Sequence, residues 1–262
     1  MTIDTSSLQI RIAEDEADLL AAQRLRYRVF VEELKGGGGA MVDHANRLER
    51  DHFDPFNDHL ILVDPCRDAG RLDHVVGVYR LLRDDRAAEA GRFYCDDEYD
   101  LTALKRSGRR LLELGRSCVD EDYRGGAAML VMWNWLANYV LNNGIEILFG
   151  VASFHGTDVK ALEMPLSWLH HHHLAPPELR VRALAPNDIA MDLVPDDRLE
   201  RNAAMEAMPA LIKAYLRLGG FVGEGAYVDH GFNTTDVCLL MDTAAMSQRH
   251  RSFYTRKHKG TA

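Results

Sequence analysis

One stretch constrains the fold more than any other: Leu111–Gly126 and the apolar segment that follows it. Leu111, Leu112, Leu114 and Val119 have the apolar character of a strand covered on both faces. The strand runs into Asp120–Arg124, a turn containing Gly125 and Gly126, and then a helix predicted over Ala127–Leu141. Two charges, Glu113 and Arg116, interrupt the apolar run, and a buried charge is costly unless paired or used. Residues three apart on a regular strand point to opposite faces. A β-bulge at Gly115 would restore them to one face, placing a carboxylate and a guanidinium side by side. Two readings of that pair stand at this point: a buried ion pair without chemistry, or part of a site.

The turn adds to the second reading. After Arg124 no bulky side chain occurs for four residues, so backbone N–H groups at the helix start can approach a phosphate. An ordinary strand-to-helix turn has the same composition, and a lone Arg-Gly-Gly is a weak signal.

At 262 residues, 47% of them apolar, the chain can bury a sizeable core. A single domain is expected over 1–247, with 248–262 a mobile basic tail carrying Arg249, Arg251, Arg256, Lys257 and Lys259. The formal net charge of −9 argues against nucleic acid as a partner. Cys66, Cys95, Cys118 and Cys238 lie far apart without a Cys-x-x-Cys, which fits a reducing cytoplasm. No signal peptide is expected from Met1–Ile10, and Ala127–Leu141 is too short to span a bilayer. The basic tail could still meet anionic lipid, giving a cytoplasmic protein with peripheral contact at the inner membrane.

In order, the pattern predicts a strand over Leu8–Ala13 and a helix from Glu14 to Phe30 carrying Arg24, Arg26 and Arg28, most simply on a solvated face. Gly36–Gly39 reads as a loop. Arg47–Asp58, with Asp51, Asp54 and Asp58, reads on spacing as a solvated acidic turn in preference to a metal or amine site. Strands follow over His59–Val63 and His74–Arg83, the second with Arg80 embedded in it. Asp100–Ser107 is a short helix, Gly144 a helix stop and Ile145–Phe154 a buried strand. Ser153, His155, Thr157 and Asp158 fall at that strand's carboxyl end, where open α/β sheets place ligands. His155 is either an acid–base group or a helix cap.

His170–His173 on a helix cannot converge, and no Cys or His completes a tetrahedral set, so no metal is expected. Leu179–Leu184 reads as a strand, Arg201–Leu218 as one amphipathic helix, and Asp236–Met241 as the last strand.

With these residues laid out, the chain resembles the GNAT acyltransferase superfamily. Across Leu111–Asp158 it is similar to the L-ornithine N-acyltransferases of bacterial ornithine-lipid synthesis, as it is in His173–Arg182 and Phe232–Cys238. More distantly it resembles the acyl-homoserine-lactone synthases, at Arg26, Phe30, Asp51, Asp54, Arg80, Glu113 and Arg116. The resemblance implies an α/β (α+β) fold: a mixed central sheet, splayed after a bulged central strand and flanked by helices. It implies an N-acyltransferase moving a 3-hydroxy fatty acyl group from acyl carrier protein to the α-amine of L-ornithine, which gives lyso-ornithine lipid. It implies that Glu113 helps deprotonate the amine through water and that Arg80 and Arg116 hold the charged site. Arg26, Phe30, Asp51, Asp54, Ser153 and His155 are then substrate-binding.

Only Arg124, Gly125 and Gly126 match the superfamily's phosphate loop, which suits a phosphopantetheine arm better than coenzyme A. No cofactor is required, because an amine attacks a thioester directly. Cys118 is a conceivable nucleophile that this chemistry does not need. The alternatives are acylation of another amino acid, acyl-homoserine-lactone synthesis, and a non-catalytic carrier- or lipid-binding GNAT fold.

Overall fold

The structure is a computed structural model that describes residues 7–124 and 128–244. The basic tail expected over 248–262, and Gly125 and Gly126 of the turn, lie outside the described residues. The strands in chain order are β1 Gln9–Ile12, β2 Asp58–Val63, β3 Val75–Arg83, β4 Tyr99–Asp100, β5 Leu111–Val119, β6 Ile147–His155, β7 Arg182–Ala183, β8 Asp188–Ile189, β9 Phe221–Val222, β10 Ala226–Asp229 and β11 Thr234–Asp242. The helices are α1 Glu16–Arg26, α2 Asp84–Ala90, α3 Thr102–Arg106, α4 Ala128–Asn142, α5 Glu163–His173, α6 Arg201–Ala207 and α7 Ala210–Arg217.

The chain divides into two compact units. The first takes residues 7–92 together with 114–124 and 128–143, and its strand order is β1-β2-β3-β5. β1 pairs antiparallel with β2 (Gln9 opposite Val63), and β2 with β3 (Asp58 opposite Leu81). β2 and β3 are buried almost throughout because helices cover both faces. On one face Ala21, Ala22 and Leu25 of α1 pack with Ile61, Val63, Val75, Val78 and Cys118. On the other, Met132 of α4 sits against Gly77, where a Cβ would come within 2.8 Å of its sulfur. Glycine is used there for close approach of helix to strand. Asp15 caps α1 by accepting from the Asp18 N–H. α1 then widens into a π-helical turn, Tyr27–Glu33.

The second unit takes residues 93–113 and 144–244. Its sheet is mixed: Leu111–Glu113 of β5 runs parallel to Ile147–Phe149 of β6, and β6 runs antiparallel to β11 from His155 opposite Thr234 to Ile147 opposite Asp242. β10 and β9 share the other edge of β11, β8 pairs with β10, and β4 with β7 form a separate ribbon. Gly144 has φ +62° and ends the α4 segment as expected.

Two expectations are corrected in this unit. The helix predicted over Arg201–Leu218 is two helices, α6 and α7, broken at Met208 and Pro209. Proline lacks the N–H that a continuous helix needs and drives the preceding residue to an extended conformation; Met208 has ψ 131°. The strand predicted over Leu179–Leu184 shrinks to Arg182–Ala183, because the Leu179 N–H turns back to the Pro176 carbonyl. Burial of Leu179 and Val181 accounts for the alternation that suggested a longer strand.

Candidate active site

Six charged side chains of the first unit close into a ring of alternating sign. The Arg26 Nε donates to Glu49 Oε2 at 2.5 Å, and Glu49 Oε1 accepts from Arg116 Nε at 3.1 Å. Arg116 Nη2 donates to Asp51 Oδ2 at 3.2 Å, and Asp51 Oδ1 accepts from Arg80 Nη1 at 2.6 Å. Arg80 Nη1 also reaches Asp54 Oδ1 at 3.0 Å, which accepts from Arg26 Nη1 at 2.7 Å and completes the circuit. Gln23 donates to the second Asp54 oxygen at 2.9 Å, and His59 Nε2 lies 2.9 Å from the Asp54 carbonyl.

Local structure explains how these residues meet. Arg26 ends α1 just before the π-helical turn, and Arg80 lies on the wholly covered β3. Arg116 adopts φ +49°, a left-handed conformation directly after Gly115, the position where a strand irregularity was expected. The Glu49 N–H is fixed on the Gln23 carbonyl at 3.1 Å, and residues 54–56 form a single turn with Pro55 at its start.

Burial makes the ring's charge balance obligatory. Arg26 and Glu49 are fully buried and Asp54 nearly so. At Glu49, Asp51 and Asp54 burial opposes ionisation. The neighbouring guanidiniums outweigh it and hold all three carboxyls below the ordinary carboxylate range. At Arg26 burial again opposes the charge, and Glu49 and Asp54 raise its pKa. At His59 the balance goes the other way: burial, with Arg26 and Arg80 nearby, outweighs the pull of Asp54 and pushes it down to about 4, so it is neutral at physiological pH.

The solvated reading of Arg47–Asp58 is therefore corrected, since this segment carries half of a buried network. The solvated reading of the α1 arginines also fails for Arg26, and Arg28 is paired with Asp120 and Asp73. Sequence reasoning missed Glu49 and Gln23. Glu49 lies within the Arg47–Asp58 segment already noted, but nothing local distinguishes a buried glutamate from a solvated one.

The remaining expected residues have their own surroundings within each unit. Phe30 packs at the margin of the α1 core. Arg124 bonds Glu33 and donates to the Val119 carbonyl at 2.8 Å. Cys118 is buried and pushed up to about 12, so it remains a thiol and no thiolate nucleophile is available there. In the second unit, both Glu113 oxygens accept backbone N–H groups, from Cys95 at 2.7 Å and Tyr94 at 2.8 Å. Glu113 thereby fixes the start of the single turn Tyr94–Asp97. Ser153 and His155 are exposed at the carboxyl end of β6, opposite Asp236 and Thr234 of β11. Asp158, not His155, caps the following turn, accepting from Lys160 and Ala161.

The second unit also holds a group that the sequence did not signal: Glu98, Asp229 and Asp236 place carboxylate oxygens within 4.8 Å of one another.

Comparison with known proteins gives this geometry its family. Residues 25–134 match the acetyltransferase (GNAT) domain model, a span that includes the whole six-charge ring apart from Gln23 beside it. An L-ornithine N(alpha)-acyltransferase of Rhodobacter capsulatus is 67% identical over 254 residues, covering 97% of each chain. One of Brucella abortus is 40% identical over 95% of this chain and 89% of its own. Among solved structures, an N-acyl amino acid synthase from uncultured soil microbes superposes with TM-score 0.53 at 12% identity, covering 93% of this chain and 96% of that one. A CoA-dependent acyl-homoserine lactone synthase gives 0.53 at 14%, covering 97% and 91%. These last two establish the fold, a mixed sheet flanked by helices, and the curated relatives establish the rest: the chain is an acyltransferase of GNAT fold that belongs to the family of the L-ornithine N(alpha)-acyltransferases.

Proposed function

We propose that this acyltransferase moves a 3-hydroxy fatty acyl group from the phosphopantetheine thioester of acyl carrier protein to the α-amine of L-ornithine, giving lyso-ornithine lipid. The observation that carries the reading is the 67% identity to an ornithine acyltransferase across nearly the whole of both chains. The amine nitrogen attacks the thioester carbonyl, the C–S bond breaks, and the thiol leaves. Glu113 takes the ammonium proton through water before attack, as a carboxylate base does. Arg80 and Arg116, with Arg26, Asp51 and Asp54, hold the charged frame of the first unit. Arg124 with Gly125 and Gly126 receives the phosphopantetheine phosphate, and Ser153 and His155 contact substrate. No resident cofactor enters.

The purified chain, given 3-hydroxyacyl carrier protein and L-ornithine, should form the N-acylated product seen by mass spectrometry. Glu113→Gln should lower turnover by ~100-fold or more while the protein still folds. An acyl-homoserine lactone or a different acylated amino acid as the main product would replace this reading, as would equal rates with acyl-coenzyme A. Carrier binding should weaken with salt, because an acidic carrier must dock on local basic residues. No helix among the described residues is long and apolar enough to cross a membrane. Contact with the bilayer is assigned to the basic stretch 248–262. Its deletion should release the protein from anionic vesicles in co-sedimentation.

A further inference from the structure

The carboxylate group of the second unit has no place in the acyl-transfer chemistry just described. Glu98 and Asp236 are buried, Asp229 is partly so, and their oxygens converge within 4.8 Å. Register shows which way they face. Asp229 lies directly opposite Thr234, and Asp236 follows two residues after Thr234 on β11, so all three occupy one face of the sheet. Thr234 is only 7% exposed, and its Oγ1 has no hydrogen-bond partner among the described residues. A buried hydroxyl without a partner is costly and marks a place where a ligand or water completes it.

The same face leads to the proposed base. Ser153 and His155 of β6 stand opposite Asp236 and Thr234, and Phe149, further along the same side of β6, stands opposite Glu113. One short turn connects the two groups: Cys95 donates its N–H to Glu113, and Glu98 terminates that turn. Tyr99, kept protonated chiefly by burial, donates to the main-chain carbonyl of Asp236 at 2.9 Å and fixes β11 beneath the cluster. The exposed Ser153 opens this end of the sheet to solvent.

We infer that Glu98, Asp229 and Asp236, with the Thr234 hydroxyl, form the subsite for the cationic side chain of the amine substrate, an alkylammonium carried a few methylenes from the amine that is acylated. This rests on the reading of the chain as an ornithine acyltransferase and adds the residues that choose the amine. An ammonium offers three donors and no acceptor, which suits converging carboxylates and a hydroxyl oxygen. The carboxylates set specificity, because a site built for a charge rejects the analogue that leaves its buried polar groups unpaired.

The test compares kcat/KM for L-ornithine and L-norvaline, which has the same carbon chain and no terminal amine. The full-length chain should favour ornithine by ~100-fold or more. In Asp236→Asn that ratio should fall at least ~10-fold, and in Thr234→Val by a few-fold. Should Asp236→Asn lose its cooperative thermal transition, Asp229→Asn and Thr234→Val carry the test. Acylation of ornithine with an undiminished ratio in folded variants overturns the subsite while sparing the acyl-transfer reading. Acylation of neither amine by the unaltered chain overturns both. Ornithine preference that disappears with EDTA and returns with Ca²⁺ or Mg²⁺ reassigns the carboxylates to a metal and overturns the proposal.

Discussion

The charged groups of the two units solve the same electrostatic problem differently. In the first unit every carboxylate of the ring meets two guanidiniums, so three positive and three negative side chains share one buried site at no net charge. In the second, three carboxylates converge beside a hydroxyl that has no partner among the described residues. The first arrangement is complete as a framework, with desolvation of each charge offset by bidentate or bridging contacts. The second has the form expected where binding sets the requirement, because stability alone would not select it.

The contrast can be broken most sharply at Arg26. Arg26→Met leaves Glu49 and Asp54 buried with less compensation, and should destabilise the fold by about 3–5 kcal/mol in chemical denaturation. A loss below about 1 kcal/mol would show that the ring is not the framework described.

Acidification tests the same unit with a smaller effect. His59 ionises near 4 when folded, below its ordinary 6.5. Its folded pKa is depressed, so the stability it contributes is fully present above pH 6.5 and is lost as pH falls through 4. Over that window the unfolded state binds the extra proton, and stability should drop by roughly 3 kcal/mol. Denaturation midpoints at pH 7 and pH 4.5 measure this, and His59→Asn should flatten the dependence. Below that window the depressed carboxylates of Glu49, Asp51 and Asp54 are lost in turn.

The smallest expected effect sharpens the comparison from the other side. Thr234→Val replaces a buried unpartnered hydroxyl with a methyl of similar shape, and should leave thermal stability unchanged or raise it by about 1 kcal/mol. The equivalent loss of a polar group at the ring should never stabilise. A clear destabilisation by Thr234→Val would mean that the hydroxyl is part of the fold's own bonding.

Much of the architecture was legible in local pattern. Apolar continuity marked β3, β5 and β6, helical spacing marked α1, and the charge-free run after the glycine turn became α4, because such periodicity reflects which face a residue buries. Arg201–Leu218 misled for the same reason: the apolar spacing passed smoothly through Pro209, while the backbone could not. The site was legible in part. Arg80 and Arg116 stood out as charges inside apolar strands, and a family likeness was needed to add Arg26, Asp51 and Asp54. Nothing in Arg47–Asp58 itself separates a buried acidic segment from a solvated turn, and Glu49 went unremarked.

The sequence by itself therefore determined the strands, most of the helices and the family, since these depend on neighbours a few residues apart or on motifs carried intact. Only the tertiary structure decided what the charges do. The ring joins residue 26 to residue 116 through loops whose closure no local pattern records, and Glu98, Asp229 and Asp236 meet only because β10, β11 and a distant turn are brought together. The energy of a charge depends on its surroundings far more than on its identity, and those surroundings exist only once the chain has folded.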